Sequence, residues 1–155
     1  MIELYCGTIA SGKSTCAKER AKEGAIIIND DAILLAVHAG DYTLYDKKLK
    51  PFYKSIETHI LLSAVLMGRD VIIDRGLHLR KESRARWIAL ARSLEVPIHA
   101  RVFPIESPEV HVERRMKSDS RGLTREFWME AVQEHIEQYE RPTLSEGFNH
   151  ITVIR

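Results

Sequence analysis

Five short runs of apolar, largely β-branched residues punctuate the chain: Ile2 to Cys6, Ala25 to Ile28, Asp70 to Asp74, Pro97 to Phe103 and His150 to Ile154. Several are nearly continuous in Val, Ile and Leu instead of alternating with polar residues, the pattern of strands covered on both faces in a parallel sheet. Between them the apolar residues recur every three or four positions, predicting helices near 13–23, 30–38, 48–67, 79–95, 107–119 and 124–138. In the third of these, Ile60, Leu61, Ala64, Val65 and Met67 fall at helical spacing and Gly68 stands where the helix should end. Met67 and Trp87 are read as core. The stretch Tyr139 to Gly147, containing Pro142, is a connection. With strands and helices alternating and no repeat or low-complexity linker, the pattern predicts one doubly wound α/β domain over residues 1–155.

Composition supports a packed core. Apolar residues make up 45% and charged residues 29% of 155, an ordinary globular balance. Lys and Arg number 23 against 22 acidic residues, so overall charge offers no attraction to nucleic acid or anionic membrane, and any basic site must be local. No run approaches the ~18 apolar residues of a spanning helix and no apolar signal region opens the chain, which predicts a cytoplasmic protein without membrane attachment or obligate protein partner. Cys6 and Cys16 are read as reduced packing residues; a nucleophilic Cys6 is the rival reading.

The candidate chemistry begins where the first strand ends. Gly7-Thr8-Ile9-Ala10-Ser11-Gly12-Lys13-Ser14 fits G-x-x-x-x-G-K-[ST] between a strand and a helix. Such a loop turns its amides toward an anion, its glycines permit the backbone path, and the helix N-terminus adds a positive end. Gly7, Ala10, Ser11, Gly12, Lys13, Ser14 and Thr15 are therefore predicted to hold the phosphates of ATP. Lys13, expected to stand exposed to ligand, would neutralise the β and γ phosphates, and the Ser14 hydroxyl would bind Mg²⁺.

Three further groups sit where an open α/β sheet binds its ligands, beyond the carboxyl ends of the strands, or on a later basic segment. Asp30 and Asp31 follow Ile26-Ile27-Ile28-Asn29, and Asp31 is the candidate base; Asp30 is either a helix cap or a carboxylate near the metal. Asp74 ends the run Val71-Ile72-Ile73 and is a candidate carboxylate beside Mg²⁺. In "ERRMKSDSRG", Arg114, Arg115, Lys117 and Arg121 form a cluster suited to a lid that closes over a phosphoryl group. Residues 69–92 also hold seven basic residues, Arg69, Arg75, Arg80, Lys81, Arg84, Arg86 and Arg92, against three acidic ones, and the one aromatic residue among them, Trp87, is read as core and so not as a base-stacking surface. They read either as backbone-phosphate contacts or as the wet face of a helix.

Taken in order, "CGTIASGKST", "IINDDA", "DYTLYDKKLK", "VIIDRGLHLRKESRARWIALARSLEVPIHARVF", "ERRMKSDSRG" and "YERPTLSEGF" resemble the P-loop kinases typified by phage polynucleotide 5'-hydroxyl kinase. The resemblance spans nearly the whole chain, and no N-K-x-D base-reading motif is present to suggest a GTPase. It implies a three-layer P-loop NTPase fold with sheet order 2-3-1-4-5 and an Arg-bearing lid. It also implies transfer of the γ-phosphoryl of ATP to a hydroxyl acceptor such as a 5'-hydroxyl nucleic acid end, Asp31 as the base, and Arg121 with Arg115 in the lid. Where those kinases carry a substrate-gripping arginine three residues after the aspartate, this chain has Leu34, which keeps a sugar, nucleoside or other alcohol open as acceptor. A nucleotide-dependent module without acceptor is the rival from another class; it has no need of Asp31.

Overall fold

Leu4, flanked by Ile2 and Cys6, lies on β1 (Ile2–Cys6), a strand buried along its whole length at the centre of a five-stranded sheet. This computed structural model describes residues 1–74 and 78–155; the predicted basic residue Arg75 lies outside them. The other strands are β2 (Ile26–Ile28), β3 (Val71–Ile73), β4 (Ile98–Val102) and β5 (His150–Val153), in spatial order β2-β3-β1-β4-β5. All four pairings are parallel, with Leu4 opposite Ile73 on one side and Ala100 on the other. Continuous burial holds for β1 and β3, which have neighbours on both edges; the outer strands β2 and β5 leave residues such as Ile26 and Val153 partly exposed.

Helices α1 (Lys13–Lys22), α2 (Asp30–Val37), α3 (Lys50–Leu66), α4 (Lys81–Ser93), α5 (Pro108–Ser118) and α6 (Arg125–Glu137) complete the chain. They divide the apolar residues into three clusters. Ile33, Leu61, Ala64, Trp87, Ile88 and Ala91 cover one face of the sheet against Leu4, Ile73 and Ala100. Ala17 of α1 packs with Tyr5, Ile72 and Phe103 on the other face. The third cluster joins α5 to α6 through Val112, Trp128 and Val132, and Ile9 of the first loop packs against it. The fold is thus the three-layer P-loop NTPase arrangement, with a separate helical pair standing beside the loop.

Predicted and observed elements differ mainly at their ends, where helices fray and short 3-10 turns begin. One core expectation fails. Met67 is 74% exposed: it caps α3 after the buried series Tyr53, Glu57, Leu61, Ala64, and Gly68 at φ 69° turns the chain away before another helical turn can cover it. Trp87 is buried, as predicted.

The basic stretch is not a uniformly wet face: Arg69, Arg80, Lys81 and Arg92 are exposed, but two of its arginines are tied into the protein. Arg84 is fully buried and forms a two-pronged pair with Glu146, Nε to Oε2 at 2.8 Å and Nη2 to Oε1 at 2.8 Å. Its Nη1 donates to the carbonyls of His78, Leu79 and Glu140. A guanidinium can satisfy so many partners because its donors are fixed in a plane, so it staples α4 to the connection after α6. Arg86 pairs with buried Glu57 of α3 at 2.5 Å.

Candidate active site

The loop from Gly7 to Gly12 is shaped by steric necessity. A Cβ on Gly7 would lie 2.8 Å from Ser11 Oγ and 3.0 Å from Phe103 Cβ, so no larger residue fits where β1 turns. Gly12 takes φ 97°, and Ala10 is held at φ 54°, a left-handed conformation uncommon for a residue with a side chain. Gly12 supplies no side-chain cap to α1, so the first-turn amides of Lys13, Ser14 and Thr15 form an uncapped, positive helix end. Ser14 and Thr15 are exposed there.

Lys13 departs from expectation. It is 7% exposed, and its Nζ donates to the carbonyls of Gly7 at 3.0 Å and Thr8 at 2.5 Å and to Ser11 Oγ at 3.4 Å. The ammonium is therefore already inside the loop, fixed by the groups that surround it. Burial pushes its pKa down to about 8, although the Asp74 carboxylate pulls the other way.

The acidic residues stand on the same edge of the sheet. Asp74 is buried just past β3; its N–H donates to the Ile28 carbonyl, and its carboxylate and carbonyl accept from Asn29 Nδ2. Asn29, not Asp30, is the helix cap: its Oδ1 accepts from Ala32 N at 2.9 Å. Asp30 occupies the first turn of α2, accepting from the Asp31 amide. Asp31 is exposed and accepts a 2.7 Å hydrogen bond from the Tyr42 hydroxyl. Among the described residues no group of three or more His, Cys, Asp or Glu side chains gathers as a metal cage. The oxygens of Ser14, Asp30 and Asp74 instead suit Mg²⁺, which takes few protein ligands and keeps waters and phosphate oxygens for the rest.

Trp128 organises the arginines. Arg115 stacks over its ring with Cζ 4.4 Å from the centroid, and Arg121 lies 5.2 Å from the same ring and 5.3 Å from that of Tyr42. Asp119 shapes the turn between α5 and α6, accepting from the amides of Arg121 and Leu123 and from Trp128 Nε1. Burial alone would raise its carboxyl pKa, but these hydrogen bonds hold it below the ordinary value. Arg114 instead pairs with Glu106. Leu34 is buried, so the side chain at the departing position faces packed protein.

Two participants were not singled out from sequence. Tyr42 ties Asp31 to Arg121, and only its place in "DYTLYDKKLK" marked it. His111, wholly buried on α5, meets Thr8 Oγ1 through Nε2 at 3.3 Å and accepts from the Glu106 amide at 3.0 Å, linking α5 to the loop. A lone histidine on a helix carries no sequence signal for such a contact. Cys6 is buried, and desolvation pushes its thiol up to about 12, which suits packing and not nucleophilic attack. A surface cavity of about 640 Å³ lies elsewhere, at the opposite end of the strands, where Ala21, Ile26, Ile60 and Met67 line it.

With this geometry in view, comparison with known families is decisive: the family model AAA_33, described as AAA domain, matches residues 2–150. The chain belongs to that family. Its fold is shared by Kti12 from Chaetomium thermophilum in complex with ADP-AlF3, at TM-score 0.62 and 18% identity, covering 99% of this chain and 88% of that one. A gluconokinase from Sinorhizobium meliloti is similar at TM-score 0.55 and 19% identity, over 98% and 80% of the two chains. A chain of the Pnkp1/Rnl/Hen1 RNA repair complex gives TM-score 0.67 at 18% identity over 90% of this chain but 46% of that one. No curated protein matches by sequence. This AAA domain thus shares its P-loop fold with these solved structures, and no helix among its described residues is long and apolar enough to cross a membrane.

Proposed function

We propose that this AAA domain is an ATP-dependent kinase that transfers the γ-phosphoryl group to an alcohol, with a 5'-hydroxyl nucleic acid end as the first acceptor class. The observation that carries the reading is the chain Asp31–Tyr42–Arg121, which ties the acceptor-side carboxylate to a lid cation at the carboxyl edge of the sheet. A nucleotide switch without acceptor, the reading a likeness to Kti12 leaves open, has no use for that carboxylate. In this proposal Gly7, Ala10, Ser11, Gly12 and Thr15 shape or supply the amide cradle for the phosphates, and Lys13 bears their charge. Ser14, Asp30 and Asp74 hold Mg²⁺, which when bound neutralises phosphoryl oxygens. Asp31 takes the proton of the attacking hydroxyl, and Arg121 and Arg115 meet the charge that develops on the transferred group. The protein acts in the cytoplasm and needs neither membrane nor obligate protein partner.

A second acceptor class, a sugar, nucleoside or other small alcohol, is favoured by Leu34, whose buried side chain cannot grip a phosphate. Labelled ATP offered with 5'-hydroxyl oligonucleotides, nucleosides and polyols separates the classes. Asp31→Asn is expected to lower transfer about a hundredfold or more while MgATP affinity changes little. Near-normal transfer by this variant, with Asp30→Asn crippled, would move the base to the neighbouring residue.

A further inference from the structure

The segment joining α2 to α3 carries exposed aromatic residues among its cations, an arrangement that α4 lacks because its one aromatic residue, Trp87, is buried. Over residues 41–54 the chain reads Asp-Tyr-Thr-Leu-Tyr-Asp-Lys-Lys-Leu-Lys-Pro-Phe-Tyr-Lys, so aromatic and cationic residues are interleaved. The segment folds around Tyr53, which is buried: Tyr45 stacks on it at 6.0 Å with 23° between the rings, Phe52 tilts against it at 6.0 Å, and its hydroxyl meets His38 Nε2 at 2.7 Å. The outer residues of this nucleus stay open to solvent. Tyr42 is 38%, Tyr45 42% and Phe52 49% exposed, and Lys47, Lys48, Lys50 and Lys54 are exposed among them. Asp41 and Asp46 serve the local turns, accepting from the amides of Thr43 and Lys48. The platform is continuous with the candidate base, because Tyr42 is the residue that donates to Asp31.

We propose that this platform is the docking surface for the acceptor, a single-stranded nucleic acid end, with bases stacking on Tyr45 and Phe52 and backbone phosphates meeting Lys47, Lys48, Lys50 and Lys54. The proposal rests on the kinase reading only for the position of the reacting hydroxyl at Asp31. Two physical features select this occupant. Four lysines against two aspartates make the segment complementary to an anion, and every base offers a face to an aromatic ring while every linkage offers a phosphate to a lysine. A small alcohol would occupy Asp31 and leave the rest of this surface uncovered. The phosphate grip absent at Leu34 is thereby supplied from the next segment of the chain.

The test measures binding and transfer separately. Fluorescence anisotropy of a labelled ten-nucleotide 5'-hydroxyl single strand should show salt-sensitive binding to the full chain. Affinity should fall between ~50 and ~200 mM salt, as phosphate contacts release counterions. Tyr45→Ala and Phe52→Ala should each weaken it by about 5- to 100-fold. Lys47→Ala with Lys48→Ala should flatten the salt dependence. Should the alanine variants lose a cooperative melting transition, Tyr45→Leu, Phe52→Leu and the lysine pair carry the test, since leucine keeps apolar bulk but removes the stacking face. Full-strength binding by all folded variants overturns the platform. So does absence of binding by the parent chain alongside transfer to a small alcohol, or a preference for phosphatidylserine vesicles or peptides over the strand. Platform-dependent binding without phosphoryl transfer to any alcohol supports the platform and overturns the kinase reading instead.

Discussion

Lys13 shows how a single residue can be costly to the fold and necessary to the chemistry. Burial lowers its pKa from 10.5 to about 8, so holding the ammonium charged inside the loop at neutral pH costs on the order of 3 kcal/mol. Its bonds to Gly7, Thr8 and Ser11 hold the ammonium in place inside the loop. Lys13→Met keeps the length and removes the buried charge. It is expected to raise the Tm of the nucleotide-free protein while abolishing MgATP turnover; a lowered Tm would show that the hydrogen bonds outweigh the desolvation. Ala10, at φ 54° in the same loop, is a second residue whose backbone is held where its side chain does not favour it. Both lie in the candidate phosphate site, where stability yields to function.

At the scale of elements, α5 and α6 form a unit of their own, packed by Val112, Trp128 and Val132 and touching the loop through Ile9 and the His111–Thr8 contact. The Asp119 turn presents Arg121 from this unit, with Trp128 under both Arg121 and Arg115. Arg121 is set in place by aromatic faces, and among the described residues no carboxylate forms an ion pair with it, so its charge is available to a phosphoryl group. Arg121→Ala is expected to reduce kcat by about a hundredfold or more with a much smaller change in ATP affinity, the signature of an interaction made in the transition state. Equal losses in ATP binding and kcat/KM at normal kcat would make Arg121 a ground-state clamp. The arginine cluster in "ERRMKSDSRG" was legible, but which of its members pair within the protein was not: Arg114 pairs with Glu106, a contact that depends on how α5 meets the preceding loop.

For the molecule as a whole, the histidines set an acid limit. His99, His111 and His135 all sit below the ordinary histidine pKa, first of all because burial disfavours the charged ring. At His111, Arg114 and Lys13 add to this, while the Ala10 backbone and Glu106 oppose it. A histidine with a depressed folded pKa binds a proton more readily when unfolded. Its contribution to stability is complete above pH ~6.5 and declines as pH falls toward the folded value. Tm is therefore expected to drop between pH 7.5 and 5.5, and His111→Gln should flatten that drop. A Tm independent of pH across this window would contradict the depressed pKa of these rings.

By itself the sequence determined the five strands, the six helices and the place of the phosphate loop. Each depends on local rules: continuous apolar runs for strands covered on both faces, helical periodicity, and a glycine such as Gly12 where the loop takes a positive φ before its helix. The strand order was implied by resemblance, since apolar runs alone do not say which neighbours which. Only the tertiary structure decided which cations are structural, because pairing depends on distant partners: Arg84 reads like its exposed neighbours until Glu146 arrives from 62 residues away. It also decided that Asn29 caps α2, that Met67 lies outside the core, and that Tyr42 joins Asp31 to Arg121. Hydrophobic periodicity records what a residue must avoid, namely water; it does not record which polar group, far along the chain, will meet it.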